Sequence, residues 1–219
     1  MTSDSRQADW GEEPGFQQAS LLFSGGPSAL QETSRRIPPV PSGSQLILDL
    51  ETKVGFDQIR GRSGIRDMGM SVAVTYSYAD DRFRTYFEQD APLLIEDLFA
   101  ASRTIGFNIR RFDYEVLRAY TRRAVRNLPT LDLLDEIQMA AGHRVSLDSL
   151  LKQTLRIGKG GHGGMAIEWY ESGDWTRLEE YCREDVRVTK ALYEYGRRSG
   201  SVSFWDRRRA RARSISVRW

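Results

Sequence analysis

The chain has 219 residues, 40% of them hydrophobic, and a formal net charge of +2. This length predicts one domain with appendages, and the apolar content suffices for a core. The one cysteine, Cys182, excludes an internal disulfide and favours a reducing cytoplasm. No apolar run approaches the roughly 20 residues of a membrane span, and the polar start of the chain lacks the features of a secretory signal. We therefore expect a cytoplasmic protein with no membrane partner.

Charge is distributed unevenly along the chain. The stretch from Arg197 to Trp219 contains eight arginines and one acid, Asp206, so the preceding residues are net negative. A basic tail of this kind suits a polyanionic partner such as nucleic acid. A solvated surface hairpin explains the same charges without a partner, and the sequence leaves both interpretations open.

The sequence predicts three regions. Residues 1–44 are rich in Ser, Gly and Pro and end in a proline-rich spacer, which predicts a disordered or tethering segment. Residues 45–199 are predicted to form the folded domain. Residues 200–219 predict a basic C-terminal hairpin or tail.

Within the domain, three strands predict an antiparallel meander: Leu46–Glu51, Met68–Tyr78 and Phe83–Phe87. Helices and short strands then alternate. The sequence predicts a helix over 92–101, a strand over 104–109, a helix over 110–123 and a strand from Pro129 that runs into a helical turn at Ile137. Two further helices are predicted, one over 147–155 capped by Ser146 and a last one over 175–195 capped by Asp174 and ended by Gly196. Residues 202–205 and 214–219 predict a terminal hairpin. The order predicts an α/β fold with a mixed sheet covered by helices.

Two acids stand out at the end of the first strand. Side chains on a strand alternate between faces, so Asp49 and Glu51 project from the same side. Adjacent carboxylates repel each other unless a cation lies between them, and oxygen ligands suit Mg²⁺ or Mn²⁺. An ordinary strand end with solvated acids is the alternative. With two histidines and one cysteine in the chain, a zinc site is not indicated.

Three further residues are candidates to lie beside this strand end. Asp113 falls in the first turn of a predicted helix, where an acid also meets the helix dipole favourably. Tyr181 and Asp185 are four residues apart and share one face of the last helix. Taken singly, each residue has an ordinary surface explanation.

Three stretches of the chain resemble the motifs of the DnaQ-like 3′–5′ exonucleases, which belong to the RNase H-like superfamily. They are Asp49-Leu50-Glu51, the run from Gly106 to Asp113, and the run from Tyr181 to Asp185. A tyrosine four residues before the last aspartate is similar to the DEDDy branch, which includes proofreading domains of family B DNA polymerases and bacterial RNase H-like proteins. Residues 130–134 and 146–150 also resemble this family, and the resemblance spans about 45–198.

The resemblance implies an RNase H-like fold and a role for each of five residues. Asp49, Glu51, Asp113 and Asp185 would bind two Mg²⁺ or Mn²⁺ ions about 3.5–4 Å apart, one activating a water and the other stabilising the leaving 3′ oxygen. Tyr181 would orient that water. The implied substrate is the 3′ end of single-stranded DNA or RNA.

Substrate contacts are expected in two places. Asn108 and Arg110 precede Asp113 and could meet a nucleic-acid backbone, although a solvated helix start explains Arg110 equally well. The glycine loop over 158–164 matches G-x-G-x-x-G but follows a helical pattern, so a dinucleotide site is not indicated. Lys159 or His162 in this loop could contact a substrate phosphate.

The sequence thus favours a metal-dependent 3′–5′ exonuclease. Two alternatives stay open: a nucleic-acid-binding module of a larger assembly, and a structure-specific endonuclease on the same fold. Clustered carboxylates argue against a module that only binds, because they repel phosphate.

Overall fold

The computed structural model of the protein describes residues 37–59, 62–158 and 163–219. The predicted contact residues Lys159 and His162 and most of the predicted tether lie outside the described residues. The described strands are β1 (Gln45–Thr52), β2 (Met70–Ser77), β3 (Arg82–Phe87), β4 (Arg103–Gly106), β5 (Thr130–Asp132), β6 (Ser201–Asp206) and β7 (Arg211–Ser216). The helices are α1 (Ala91–Ala100), α2 (Asp113–Leu117), α3 (Leu133–Ala141), α4 (Leu147–Leu150, continued by a π-helical turn over Leu151–Leu155), α5 (Gly163–Ser172) and α6 (Trp175–Ser199).

Five of these strands form one mixed sheet in the order β3-β2-β1-β4-β5. β2 pairs antiparallel with both β1 and β3, whereas β4 pairs parallel with both β1 and β5. The predicted meander and the predicted α/β mixed sheet covered by helices are therefore confirmed. None of the helices in the described ranges is long and apolar enough to cross a bilayer.

The central strand β1 is buried on both faces, as its continuous apolar run predicts. Leu46, Leu48 and Leu50 pack in the cluster that contains the buried side chains of α1 and α2. Ile47 packs in the other cluster, with the buried side of α6. Because strand side chains alternate, the acids at positions 49 and 51 share the face of Ile47 and point toward α6.

The chain between β4 and α2 differs from the prediction. The strand ends at Gly106 instead of Ile109, and the following helix spans Asp113–Leu117 only, not 110–123. Asn108 adopts a left-handed backbone with φ 69°, and its carbonyl accepts the N–H groups of residues 111 and 112 in a tight turn. This turn replaces both the end of the predicted strand and the first turn of the predicted helix.

The helices near the C-terminus also differ from the prediction. α5 was not predicted, because its sequence has no cap or clear apolar period. Gly196 does not end α6, which continues to Ser199 and is closed by Gly200 at φ 67°. The ring of Trp219 covers Gly196 so closely that a Cβ there would lie 2.4 Å from Trp219 Cζ2. The glycine is therefore required for side-chain packing and not as a helix stop.

Part of the proline-rich spacer is packed on the domain. The buried Arg84 guanidinium donates to the carbonyls of Pro38 and Pro39 at 2.7 and 3.1 Å. The backbone N–H of Val40 donates to Asp97 Oδ1 at 3.0 Å. These bonds hold residues 38–40 against β3 and α1.

The predicted C-terminal hairpin is present as β6 and β7, which form a separate two-stranded sheet. Val202 and Phe204 on β6 are buried in the cluster that contains α6. Thr154 Oγ1 donates to the Ser203 carbonyl at 2.8 Å and accepts the Ser203 N–H at 2.9 Å. The basic C-terminal stretch is thus a folded part of the domain.

Candidate active site

Asp49 and Glu51 lie near the end of β1, on the face that α6 covers. Carboxylate oxygens of Asp49, Glu51 and Asp185 lie within 4.8 Å of one another. The two acids of β1 are partly exposed, whereas Asp185 is buried. The fold therefore brings together three of the four acids that the sequence predicts as metal ligands.

The position of Asp185 follows from how α6 lies against β1. Tyr181, Cys182 and Asp185 all belong to the buried side of this amphipathic helix. The Cys182 thiol donates to the Asp49 carbonyl oxygen at 3.4 Å and lies 3.8 Å from Asp49 Oδ2. This contact fixes α6 beside the strand end, so that the next turn of the helix places Asp185 at the two acids.

Asp113, the fourth acid, approaches β1 from the loop after β4. The parallel pairing of these strands registers residues 45–47 with 103–105 and goes no further. Beyond that point the backbone N–H groups of Leu50 and of Asp113 itself favour the ionised form of the Asp113 carboxyl and so oppose a rise in its pKa. Asp113 is 3% exposed, and its Oδ1 is buried without a hydrogen-bond partner in the described part of the chain.

Burial controls the electrostatics of this site. The pKa of Asp113 is raised to about 8, mainly by desolvation and in smaller part by the charge of Asp132, although the two backbone N–H groups oppose the shift. Burial also raises the pKa of the Cys182 thiol well above its ordinary value. The charges of all four acids add to that shift: Asp49, Glu51, Asp185 and Asp113. Cys182 therefore stays a neutral thiol and is not a nucleophile at neutral pH.

The donor set fits a divalent cation. Three carboxylate groups converge within one coordination sphere, and a fourth keeps an unsatisfied buried oxygen beside the same strand. Ionised carboxylates this close repel one another, and a bound cation offsets the repulsion. Mg²⁺ and Mn²⁺ prefer oxygen ligands of this kind. Asp49, Glu51, Asp113 and Asp185 are the residues that would hold such an ion.

Asp132 positions the turn that leads to Asp113. Its two carboxylate oxygens accept the N–H groups of Asn108 at 2.8 Å and Arg110 at 3.0 Å. The same side chain caps α3 by accepting the Leu134 N–H at 3.0 Å. Sequence reasoning did not single out Asp132 as a positioning residue, although it lies in a segment that resembles the family. An acid at the end of a strand, directly before a helix, was the available signal.

The ring of Tyr181 is held by α5. Tyr181 is 8% exposed, and its ring meets the Trp169 ring edge-on with centroids 5.6 Å apart. The tryptophan belongs to the helix that the sequence did not predict. Its contact with Tyr181 connects α5 to the candidate site.

A groove at the turn that leads to Asp113 contains two predicted substrate contacts. Asn108 and Arg110 line a cavity of about 710 Å³. Its other lining residues are mostly arginine and aromatic side chains: Phe56, Arg111, Phe112, Arg118, Arg126 and Arg144. Arg110 is held in place by donating to the Thr130 carbonyl at 2.8 Å. The groove is thus basic and aromatic, and part of its lining comes from the motif that ends at Asp113.

These observations define an α/β protein with a carboxylate-rich candidate metal centre at the middle strand of a mixed sheet. Residues 46–196 match the family RNase_H_2, of the RNase_H superfamily. Because the match covers more than half of the chain, the protein belongs to the RNase H superfamily, whose members are mostly nucleases. A comparison with curated proteins finds no match. The superfamily implies a nucleic-acid substrate.

Proposed function

We propose that the protein is a metal-dependent 3′–5′ exonuclease of the DnaQ-like DEDDy branch, acting on single-stranded DNA or RNA. The observation that carries the proposal is the convergence of the Asp49, Glu51 and Asp185 carboxylates, with Asp113 buried beside the same strand. Their order along the chain and the tyrosine at position 181 agree with the motifs of that branch.

Each side chain of the site would have a separate role in metal binding, water orientation or substrate contact. The four acids would hold two ions, Mg²⁺ or Mn²⁺, which when bound supply a nucleophile at neutral pH and neutralise charge on the leaving oxygen. The Tyr181 hydroxyl would hydrogen-bond the attacking water and orient it toward phosphorus. Asn108 and Arg110 in the groove would contact the substrate backbone, and Lys159 and His162 stay predictions for the same role.

The test uses DNA and RNA strands of one sequence, labelled at the 5′ end and incubated with Mg²⁺ or Mn²⁺. We expect a metal-dependent ladder that shortens from the 3′ end. Asp49→Ala/Glu51→Ala should abolish it, and Tyr181→Phe should slow it by roughly 10²-fold, the lower range for a group that assists proton transfer. Glu180→Ala is the matched control, because Glu180 is an exposed acid of the same helix.

Controls separate the other candidate functions. Thermal denaturation should show that the variants remain folded. A circular single strand should resist cleavage, because an exonuclease needs an end, whereas an endonuclease would cut it. Binding without cleavage of either strand, under both metals, would contradict the proposal and favour a nucleic-acid-binding module.

A further inference from the structure

A second basic pocket lies between α4 and the C-terminal hairpin. Its volume is about 670 Å³, within the roughly 300–1,000 Å³ of small-ligand sites. Four cations line it against a single acid, Asp148: Arg144, Lys152, Arg207 and Arg208. The hairpin follows residue 196, where the match to the RNase H family ends. The pocket is therefore built partly from a segment outside the matched domain.

The walls of this pocket are fixed by hydrogen bonds. The Trp205 N–H on β6 donates to Ser149 Oγ at 2.9 Å, which joins the hairpin to α4. The buried Asp206 accepts the Arg208 N–H at 3.0 Å and so holds the turn that presents residues 207 and 208. On the other strand, Arg213 donates to the Ala141 carbonyl at 3.0 Å. The pocket is a shaped surface of the domain and not a contact of a loose tail.

The charges in the pocket favour an anion. Lys152 is neutralised by Asp148, with Nζ 2.8 Å from Oδ2. Among the described residues no ion pair within 4 Å involves Arg144, Arg207 or Arg208, so the four cations of the pocket outnumber its one acid, Asp148. Phosphate groups match the planar donor geometry of arginine.

An aromatic ring gives the pocket a second property. Trp205 lines the cavity and remains 47% exposed, although it lies on a hairpin whose neighbouring side chains at 204 and 206 are buried. An exposed indole surrounded by arginines is the combination that binds single-stranded nucleic acid, because bases stack on the ring while cations contact the backbone.

Arg144 connects this pocket to the groove at the candidate active site. It lines both cavities, and its Nη1 donates to Asn108 Oδ1 at 3.3 Å. The two cavities therefore meet at Arg144, so one strand could occupy both.

We propose that the hairpin pocket is a second contact site for the single-stranded substrate, in which a base stacks on Trp205 while Arg207 and Arg208 bind phosphates. The identity of the strand as substrate rests on the proposed exonuclease function, but binding in the pocket requires no turnover. DNA and RNA share this chemistry and are separate arms of the test.

The test measures fluorescence anisotropy of labelled single-stranded DNA and RNA in EDTA, with the full chain, so that no cleavage occurs. Trp205→Leu should weaken binding by about 5- to 150-fold, the range for one base stacked on an aromatic ring. Arg207→Gln/Arg208→Gln should weaken binding and reduce the slope of log affinity against log salt by about 1.4, because each phosphate contact on a single strand contributes roughly 0.7. Arg211→Gln/Arg218→Gln is the charge-matched control, since neither residue lines the pocket, and it should have a smaller effect.

A second measurement guards against variants that do not fold. The indole fluorescence of the wild-type protein should be quenched by an oligonucleotide, and the folded Trp205→Phe variant should lose that part of the quenching. Equal losses of affinity in the pocket and control variants, or unchanged affinity and quenching in the Trp205 variants, would overturn the proposal. If the pocket variants weaken binding as expected but no strand is cleaved with Mg²⁺ or Mn²⁺, the exonuclease proposal fails and the pocket proposal stands. If cleavage occurs but binding ignores the pocket variants, the pocket proposal alone fails.

Discussion

Gly106, at the end of β4, should not tolerate even one additional methyl group. A Cβ at this position would lie 2.3 Å from Ile109 Cγ2 and 2.8 Å from the Leu48 carbonyl oxygen. The isoleucine side chain can rotate away, but the carbonyl belongs to the buried central strand and directly precedes Asp49. The Gly106→Ala variant must therefore displace the strand that carries the metal-binding acids.

The magnitude follows from two opposing contributions. Overpacking a close-packed interior costs about 1–3 kcal/mol, whereas replacing glycine in a strand returns about 0.5–1 kcal/mol. We expect a net loss of about 1–2 kcal/mol, or about 2–8 °C in Tm for a domain of this size. Nuclease activity should fall further than the fraction of folded protein, because a shift of Asp49 approaching 1 Å is worth about 10²-fold.

Urea denaturation and the end-labelled cleavage assay measure the two effects separately. Gly164→Ala is the control, because no atom lies within 4 Å of a Cβ there and alanine favours the helix by up to about 1 kcal/mol. In an Ile109→Ala background, Gly106→Ala should cost less, with a coupling energy of at least 0.5 kcal/mol typical of contacting residues. A Gly106→Ala variant as stable and active as Gly164→Ala would refute the reasoning.

Three further predictions concern the metal centre and the packed spacer. Mg²⁺ or Mn²⁺ at about 100 times its Kd should stabilise the protein by about 2.7 kcal/mol in thermal denaturation, and Asp49→Ala/Glu51→Ala should lose this effect while remaining folded. Because burial raises the pKa of Asp113 from 3.8 to about 8, the metal-free protein favours the protonated acid. The stability of the metal-free protein should therefore fall as pH rises between those values, while its metal affinity rises toward pH 8. In urea titrations, Asp113→Asn should lack the pH dependence of stability and that of metal affinity. Finally, Arg84→Ala should remove the donors to the carbonyls of Pro38 and Pro39 and speed limited proteolysis of this segment. Arg82→Ala, at an exposed position on the same strand, is the control and should have no effect.

The parts of the fold that could be predicted depend on local patterns. The apolar run of β1 and its two acids at alternate positions determine the strand, its burial and the shared side of Asp49 and Glu51. The amphipathic period of α6 likewise determines that Tyr181 and Asp185 belong to one buried side. Each of these inferences needs only the geometry of a single element.

The parts that could not be predicted depend on contacts between distant segments. Nothing near Asp113 in sequence shows that its carboxyl is buried beside Leu50, and nothing near Gly196 shows that Trp219 covers it. The turn at Asn108 is stabilised by Asp132, 24 residues further along. Local propensity favours a continued strand and a longer helix there, and this tertiary contact overrides it.

The C-terminal stretch shows why charge alone was an incomplete guide to function. Eight arginines suggest a tail that binds nucleic acid, although a surface hairpin explains the same charges. In the structure the same stretch buries Phe204 and Val202 and places Trp219 against α6. A fully buried aromatic or aliphatic side chain contributes about 1.5–3 kcal/mol, so deleting residues 201–219 would remove a large part of the free energy of unfolding together with the charges. Loss of binding after such a deletion would therefore say little about nucleic-acid contacts, whereas exposed arginines exchanged one pair at a time keep the core intact and test the contact itself.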